Sequence, residues 1–247
     1  MAVVFLLSQS IGFAQSPGTR YREHHEFDAA AAVGNGSFAG SLAWSHLHGI
    51  GKNKQRLKVG YGLRVTSFVA ANQYYTTAPS KFTSTTQSLG TIFSETIQEN
   101  IDTIATATGL TYSFNLAIYI QYTLSRKFDV GCNIDAAGVS FGPSKKFNII
   151  SNVYDAGQQP VQEGSPTKFN LLLTSDNDIG SLNSEFFIRY KITPKISLRG
   201  GYAFIFSEYR TDNPLSFDDG RIVNDRYRYK AAMAFLGITV KPFLSNH

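Results

Sequence analysis

Charged residues in this chain recur at every second position, on segments whose alternate positions are apolar. Arg56, Lys58 and Arg64 form one such row, Asp129 and Asp135 a second, and Glu185, Arg189 and Lys191 a third. Arg199 sits alone in a fourth, Arg226, Arg228 and Lys230 make a fifth, and Glu26 with Asp28 begins another near the N-terminus. The chemistry open to such rows is ion pairing between carboxylates and guanidinium or ammonium groups. A charge taken out of water must be paired or hydrated, because an isolated one is very costly to bury. Two arrangements follow: a salt-bridged plug, or a narrow water-filled path that prefers anions because the cations are in excess.

Other candidates are weaker. His46 and His48 lie two apart and supply half a metal site at most. Ser45 and His46 are adjacent, so on a strand they face opposite ways and cannot act as nucleophile and base. Asp176-Asn177-Asp178 and Asp218-Asp219 lack the full spacing of a calcium loop. Gly60-Tyr61-Gly62 falls inside a strand pattern with no helix after it, so it is no nucleotide site. The single cysteine, Cys132, stands in an apolar row and has no internal partner. No catalytic residue, metal site or cofactor is expected, and the chain is read as a non-enzyme.

The elements that position these rows are strands. Asn183 to Tyr209 reads as a hairpin about Thr193-Pro194-Lys195. Phe186, Ile188, Tyr190 and Ile192 face one way on its first strand; Ile196, Leu198, Tyr202, Phe204 and Phe206 do so on its second. Strict alternation over 10 residues or so is the strand signature, and the length suits a tilted membrane-spanning strand of about 9–11 residues. The same pattern recurs from Tyr21 to Val33 (the faintest case), Ser37 to His46, Arg56 to Val69, Thr111 to Leu124, Phe128 to Ala137 and Arg226 to about Val240, which predicts eight strands. Short turns alternate with long polar loops at about 70–108, 142–179 and 210–225, and Ile92 to Ile104 has the spacing of a short amphipathic helix within the first. Aromatics cluster near strand ends: Trp44, Tyr122, Phe128 and Tyr190 on the turn side, Tyr112, Tyr202 and Tyr227 on the loop side.

Composition agrees. Of 247 residues, 17% are charged, below the quarter or so usual in soluble domains, and 13% are aromatic. No apolar run is long enough for a membrane helix, so a membrane reading requires a closed barrel. The net charge of +5 comes without a basic run, and nucleic acid is not expected as a partner. Residues 1–14 read as a signal peptide ending at Gly12-Phe13-Ala14, with residues 15–247 as the barrel. Small residues opposite the apolar rows suit a cramped interior. The fold expected is therefore all-β, an eight-stranded antiparallel up-and-down transmembrane β-barrel.

With its signal peptide, loop asymmetry and amphipathic hairpins such as YSFNLAIYIQYTLSRKFDVGCNID, the chain resembles the small eight-stranded outer-membrane β-barrel proteins of Gram-negative bacteria, the OmpA/OmpX-like group. The resemblance implies a place in the cell outer membrane and a structural or surface-interaction role. The partners it implies are outer-membrane lipids, lipopolysaccharide and other envelope proteins. Two alternatives stand beside it: a narrow transport barrel for small anions or apolar molecules, and an exported lipocalin-like binding barrel.

Overall fold

The computed structural model describes residues 23–51, 56–78, 103–150, 161–173, 177–217 and 222–242. The predicted signal peptide and most of the predicted amphipathic helix lie outside these residues. The described chain is all-β and antiparallel, with eleven strands: β1 (Glu23–Gly34), β2 (Ser37–Ile50), β3 (Leu57–Thr77), β4 (Thr103–Thr123), β5 (Phe128–Phe141), β6 (Lys145–Ile150), β7 (Val161–Pro166), β8 (Phe169–Leu171), β9 (Leu182–Lys191), β10 (Ile196–Phe217) and β11 (Ile222–Val240).

Eight of them close a ring. Each of β1, β2, β3, β4, β5, β9, β10 and β11 pairs with the next. The last then returns to the first through seven pairs, from Phe27 opposite Val240 to Val33 opposite Ala234. The faintest strand of the sequence is thus the one that shuts the ring. The middle of its outward row is small (Ala29 and Ala31, between Phe27 and Val33), which weakens the apolar signal without weakening the backbone ladder. Closure leaves none of these strands with an unpaired edge along the shared length.

At the long-loop end a second, narrower ring forms above the first. There β3 pairs with β4, β4 with β6, β6 with β7, β7 with β10, β10 with β11, and β11 back with β3 through Tyr227 opposite Thr77. This six-strand cap overturns the expectation of plain loops at 70–108, 142–179 and 210–225. Strands β3 and β4 run on to Thr77 and from Thr103, β10 and β11 continue as a hairpin, and β6 to β8 fall within the second loop. The sequence reading ended each strand where lipid-compatible alternation ended. Pairing needs only backbone partners, however, and polar side chains do not interrupt it.

The alternation also breaks there for a structural reason. Asn72 takes a left-handed φ of 53°. Below it the inward residues of β3 are even-numbered (Phe68, Ala70); above it they are odd (Tyr75, Thr77). Across the ladder β4 switches from Thr111 to Thr106 and Ile104.

The β1–β2 connection is the two-residue loop Asn35-Gly36, with Gly36 at φ 63°. A Cβ there would fall 2.2 Å from Gln73 Nε2, whose amide donates to the carbonyls of Asn35 and Ala71. Gly36→Val is expected to destabilise the ring by about 1–2 kcal/mol, the usual cost of a left-handed non-glycine residue. The urea midpoint of the detergent-refolded protein checks this; an unchanged midpoint would contradict it.

Candidate functional site: the charged interior

Alternation on eight strands turns one row of each toward the ring's interior, and the charged rows meet there. From the short-turn end upward, Glu26 of β1 accepts from Arg189 of β9 at 2.7 Å and from Gln121 of β4 at 3.1 Å, and pairs with Lys241 at 2.8 Å. Asp28 lies 3.8 Å from the same Arg189 and 3.5 Å from Arg199, and accepts from the Thr239 hydroxyl. Arg199 donates to Glu185 at 3.0 Å, and Glu185 lies 3.4 Å from Arg64. Arg64 in turn grips Asp135 through Nε at 2.9 Å and Nη2 at 2.5 Å. The carboxylate of Asp135 is completed by Asn115 at 2.7 Å and the Asn183 amide at 2.9 Å.

The chain of contacts therefore runs unbroken from Lys241 to Asp135, and its charges balance. Glu26, Asp28, Glu185 and Asp135 stand against Lys241, Arg189, Arg199 and Arg64. Neutral amides join the network; Asn133, for example, donates to Glu185 at 2.8 Å while its oxygen accepts from Arg64 at 2.6 Å. Phe187 stacks between Arg189 and Arg199, each guanidinium 5.3 Å from its ring. The excess of cations in the sequence is not an excess in this network. A separate pair at the short-turn mouth, Lys191 and Asp129, is 2.7 Å apart, with buried Lys58 on the same inward face.

Above the charges the interior turns apolar, with Phe68, Ile205, Met233 and Phe235 packed among alanines. A cavity between Thr66, Thr111, Ser113 and Asn183 measures about 10 Å³, room for about one water. The cap adds its own core of Tyr75, Ile104, Phe147, Ile149, Tyr209 and Tyr227.

The structure relocates three residues expected elsewhere. Arg56 precedes β3 and is exposed instead of lining the interior. Lys230 is exposed too, its ammonium 5.6 Å from the Phe206 ring. Tyr227, expected among the interfacial aromatics, is fully buried in the cap core. The last two share one cause. Both rows of β11 are apolar below Lys230, so alternation could not fix which faced inward, and the inward row proves to be Tyr227, Ala231, Met233, Phe235 and Thr239, with Leu236 and Ile238 outside. Arg228 is buried as expected, but in a different group. With Arg226 it holds the fully buried Glu208, each at 2.9 Å, beneath a segment whose Gly180 amide also donates to Glu208. Glu208 was missed because it shares its row with Phe204 and Phe206. Lys241 was missed because it lies just past the last alternating residue. Asn133 carried a readable signal, since it sits in a row already marked by Asp129 and Asp135, whereas Gln121 and Asn115 stand in a β4 row without charge and were marked only by being polar.

The remaining aromatics stand on the outer face: Tyr112, Tyr122, Phe128, Tyr190 and Tyr202 exposed, Trp44 half-buried. Near Trp44 the rings of His25 and His46 stack with centroids 4.4 Å apart, the His48 ring lies tilted against His46 at 4.3 Å, and His46 Nδ1 lies 3.3 Å from the Tyr61 hydroxyl. Among the described residues no three His, Cys, Asp or Glu side chains are set to hold a metal ion.

The fold and its interior define an antiparallel all-β protein whose ring of eight strands buries a network of paired charges and turns large apolar residues outward. No protein-family model and no curated protein matches the chain. Among solved structures it is similar to Neisserial surface protein A at 12% identity, over 90% of this chain and 96% of that one, with a TM-score of 0.35. The CymD monoaromatic hydrocarbon channel matches at 8% identity over 91% and 89%, with a TM-score of 0.21. A Pseudomonas aeruginosa FadL homologue matches at 9% identity over 83% and 68%, with a TM-score of 0.20. Scores this low leave the closure to be read from the strand pairing of this chain alone.

Proposed function

We propose that the chain is an eight-stranded β-barrel of the outer membrane that does no catalytic chemistry. Its interior is a plug, and its long-loop end meets lipopolysaccharide and other envelope proteins. The observation that carries this reading is the inversion of polarity: a balanced, hydrogen-bonded charge network inside and an apolar belt outside. Leu42, Leu236, Phe186 and Tyr202 are 58–76% exposed, an arrangement that in water would leave a large patch of unpaired apolar surface. The dimensions agree. The 10 residues of β9 extend about 33 Å, and at the usual tilt of about 45° they span about 23 Å, close to the apolar band of about 25 Å on such barrels. A lipocalin-like barrel requires the opposite polarity, with an apolar cavity inside.

The plug is favoured over an anion path because the four guanidinium and ammonium groups of the central network are each engaged by a carboxylate of the same network, which leaves that stretch of the lumen no net positive charge to draw an anion. Protein refolded in detergent should shift its gel mobility on boiling and give no stepwise current in a planar bilayer. Stable conductance steps would overturn the plug. A chain that folds and stays soluble without detergent would overturn the membrane-spanning reading itself.

A further inference from the structure

On the outer wall an apolar groove of about 750 Å³ runs along β1 and continues into a second of about 510 Å³, the two sharing Ala29, Leu42, Val65 and Ile238. Its floor is Ala29 and Ala31; its walls are Leu42 and Val65 on one side, Leu236 and Ile238 on the other. The imidazole group lies down the same face toward the short turns. His25 is directly opposite His46, His48 follows two residues on, and the Tyr61 hydroxyl stands beside His46. Neither the plug nor the cap includes these three imidazoles, which cluster on the outer wall.

We propose that groove and imidazoles together bind one phosphate-headed diacyl lipid of the leaflet at the short-turn end. The phosphate accepts from His25, His48 and the Tyr61 hydroxyl, and an acyl tail lies along Ala29 and Ala31. This rests on the membrane-spanning reading above. The length decides the occupant: from His25 to Ala31 is six residues, about 20 Å of strand, which at a tilt of about 45° is about 14 Å of depth, or half of a hydrocarbon core about 30 Å thick. The groove thus spans one leaflet, with polar donors at one end where a headgroup lies and apolar walls along the rest. Imidazole and phenol groups donate to phosphate oxygens, and tail burial between branched side chains adds apolar contact.

Native mass spectrometry of the detergent-refolded protein tests this with dioleoylphosphatidylglycerol and, as a headgroup-free control, dioleoylglycerol. The protein is expected to retain one phosphatidylglycerol. Ala29→Leu, which fills the exposed floor, and His48→Ala, which removes a donor, are each expected to lower apparent affinity roughly tenfold, equivalent to about 1.4 kcal/mol. Both variants should keep the heat-dependent mobility shift, since neither side chain belongs to the plug. Retention by both at the unsubstituted level, or equal retention of dioleoylglycerol, overturns the proposal while the barrel stands. Absence of the mobility shift in the unsubstituted protein overturns the membrane-spanning reading, and the lipid site with it.

Discussion

Arg64→Ala is expected to destabilise the protein by about 3–5 kcal/mol, the usual loss when one partner of a buried ion pair is removed. Arg64 is 1% exposed and its guanidinium reaches Asp135, Glu185, Asn133 and the Asn183 carbonyl. Removing it leaves the fully buried Asp135 with no cation, held only by two amide donors. Glu185 keeps Arg199, so the damage is not uniform along the network. The double replacement Arg64→Met, Asp135→Leu should recover much of the loss, because a buried pair exchanged for apolar residues of similar volume is often neutral. Urea titration of the refolded protein, followed by Trp44 fluorescence or gel mobility, reads both. A single variant within about 1 kcal/mol of the parent would mean that water already reaches Asp135, and the plug would be wrong.

The second large effect is expected in the cap. Tyr209 is fully buried, donates to the Leu110 carbonyl at 2.8 Å and accepts from the Leu110 amide at 2.9 Å. Its ring meets Phe147 at 5.1 Å and Tyr75 at 5.5 Å. Truncating a buried aromatic costs about 3–5 kcal/mol, and Tyr209→Phe, which loses only the hydroxyl's bonds, should cost about 1–2 kcal/mol. The cap shares strands with the ring but has a separate core, so Tyr209→Ala should open the cap first. Limited proteolysis should then cut within β6 and β7 while the heat-dependent mobility shift persists. An unchanged digestion pattern, or loss of both together, would show that cap and ring are one cooperative unit.

Much was legible in the chain itself. Period-two alternation determined that it is built of strands, and that Arg64, Asp135, Glu185, Arg189 and Arg199 share the polar rows, because a strand's side-chain direction follows from its backbone alone. It also marked Tyr122, Phe128 and Tyr190 as outward aromatics. Tertiary structure decided the rest. Which cation meets which carboxylate depends on the register of strands far apart in sequence, as when Arg189 reaches Glu26 across 163 positions. Which row of β11 faces inward was set by its pairing with β10 and β1, since both rows were apolar. The six-strand cap was invisible because its ladder is made of backbone groups common to every sequence, and because the positive φ at Asn72 exchanges the faces just where β3 and β4 leave the ring. Local residue order determines a strand and its two faces; only the closing of the sheet determines what those faces meet.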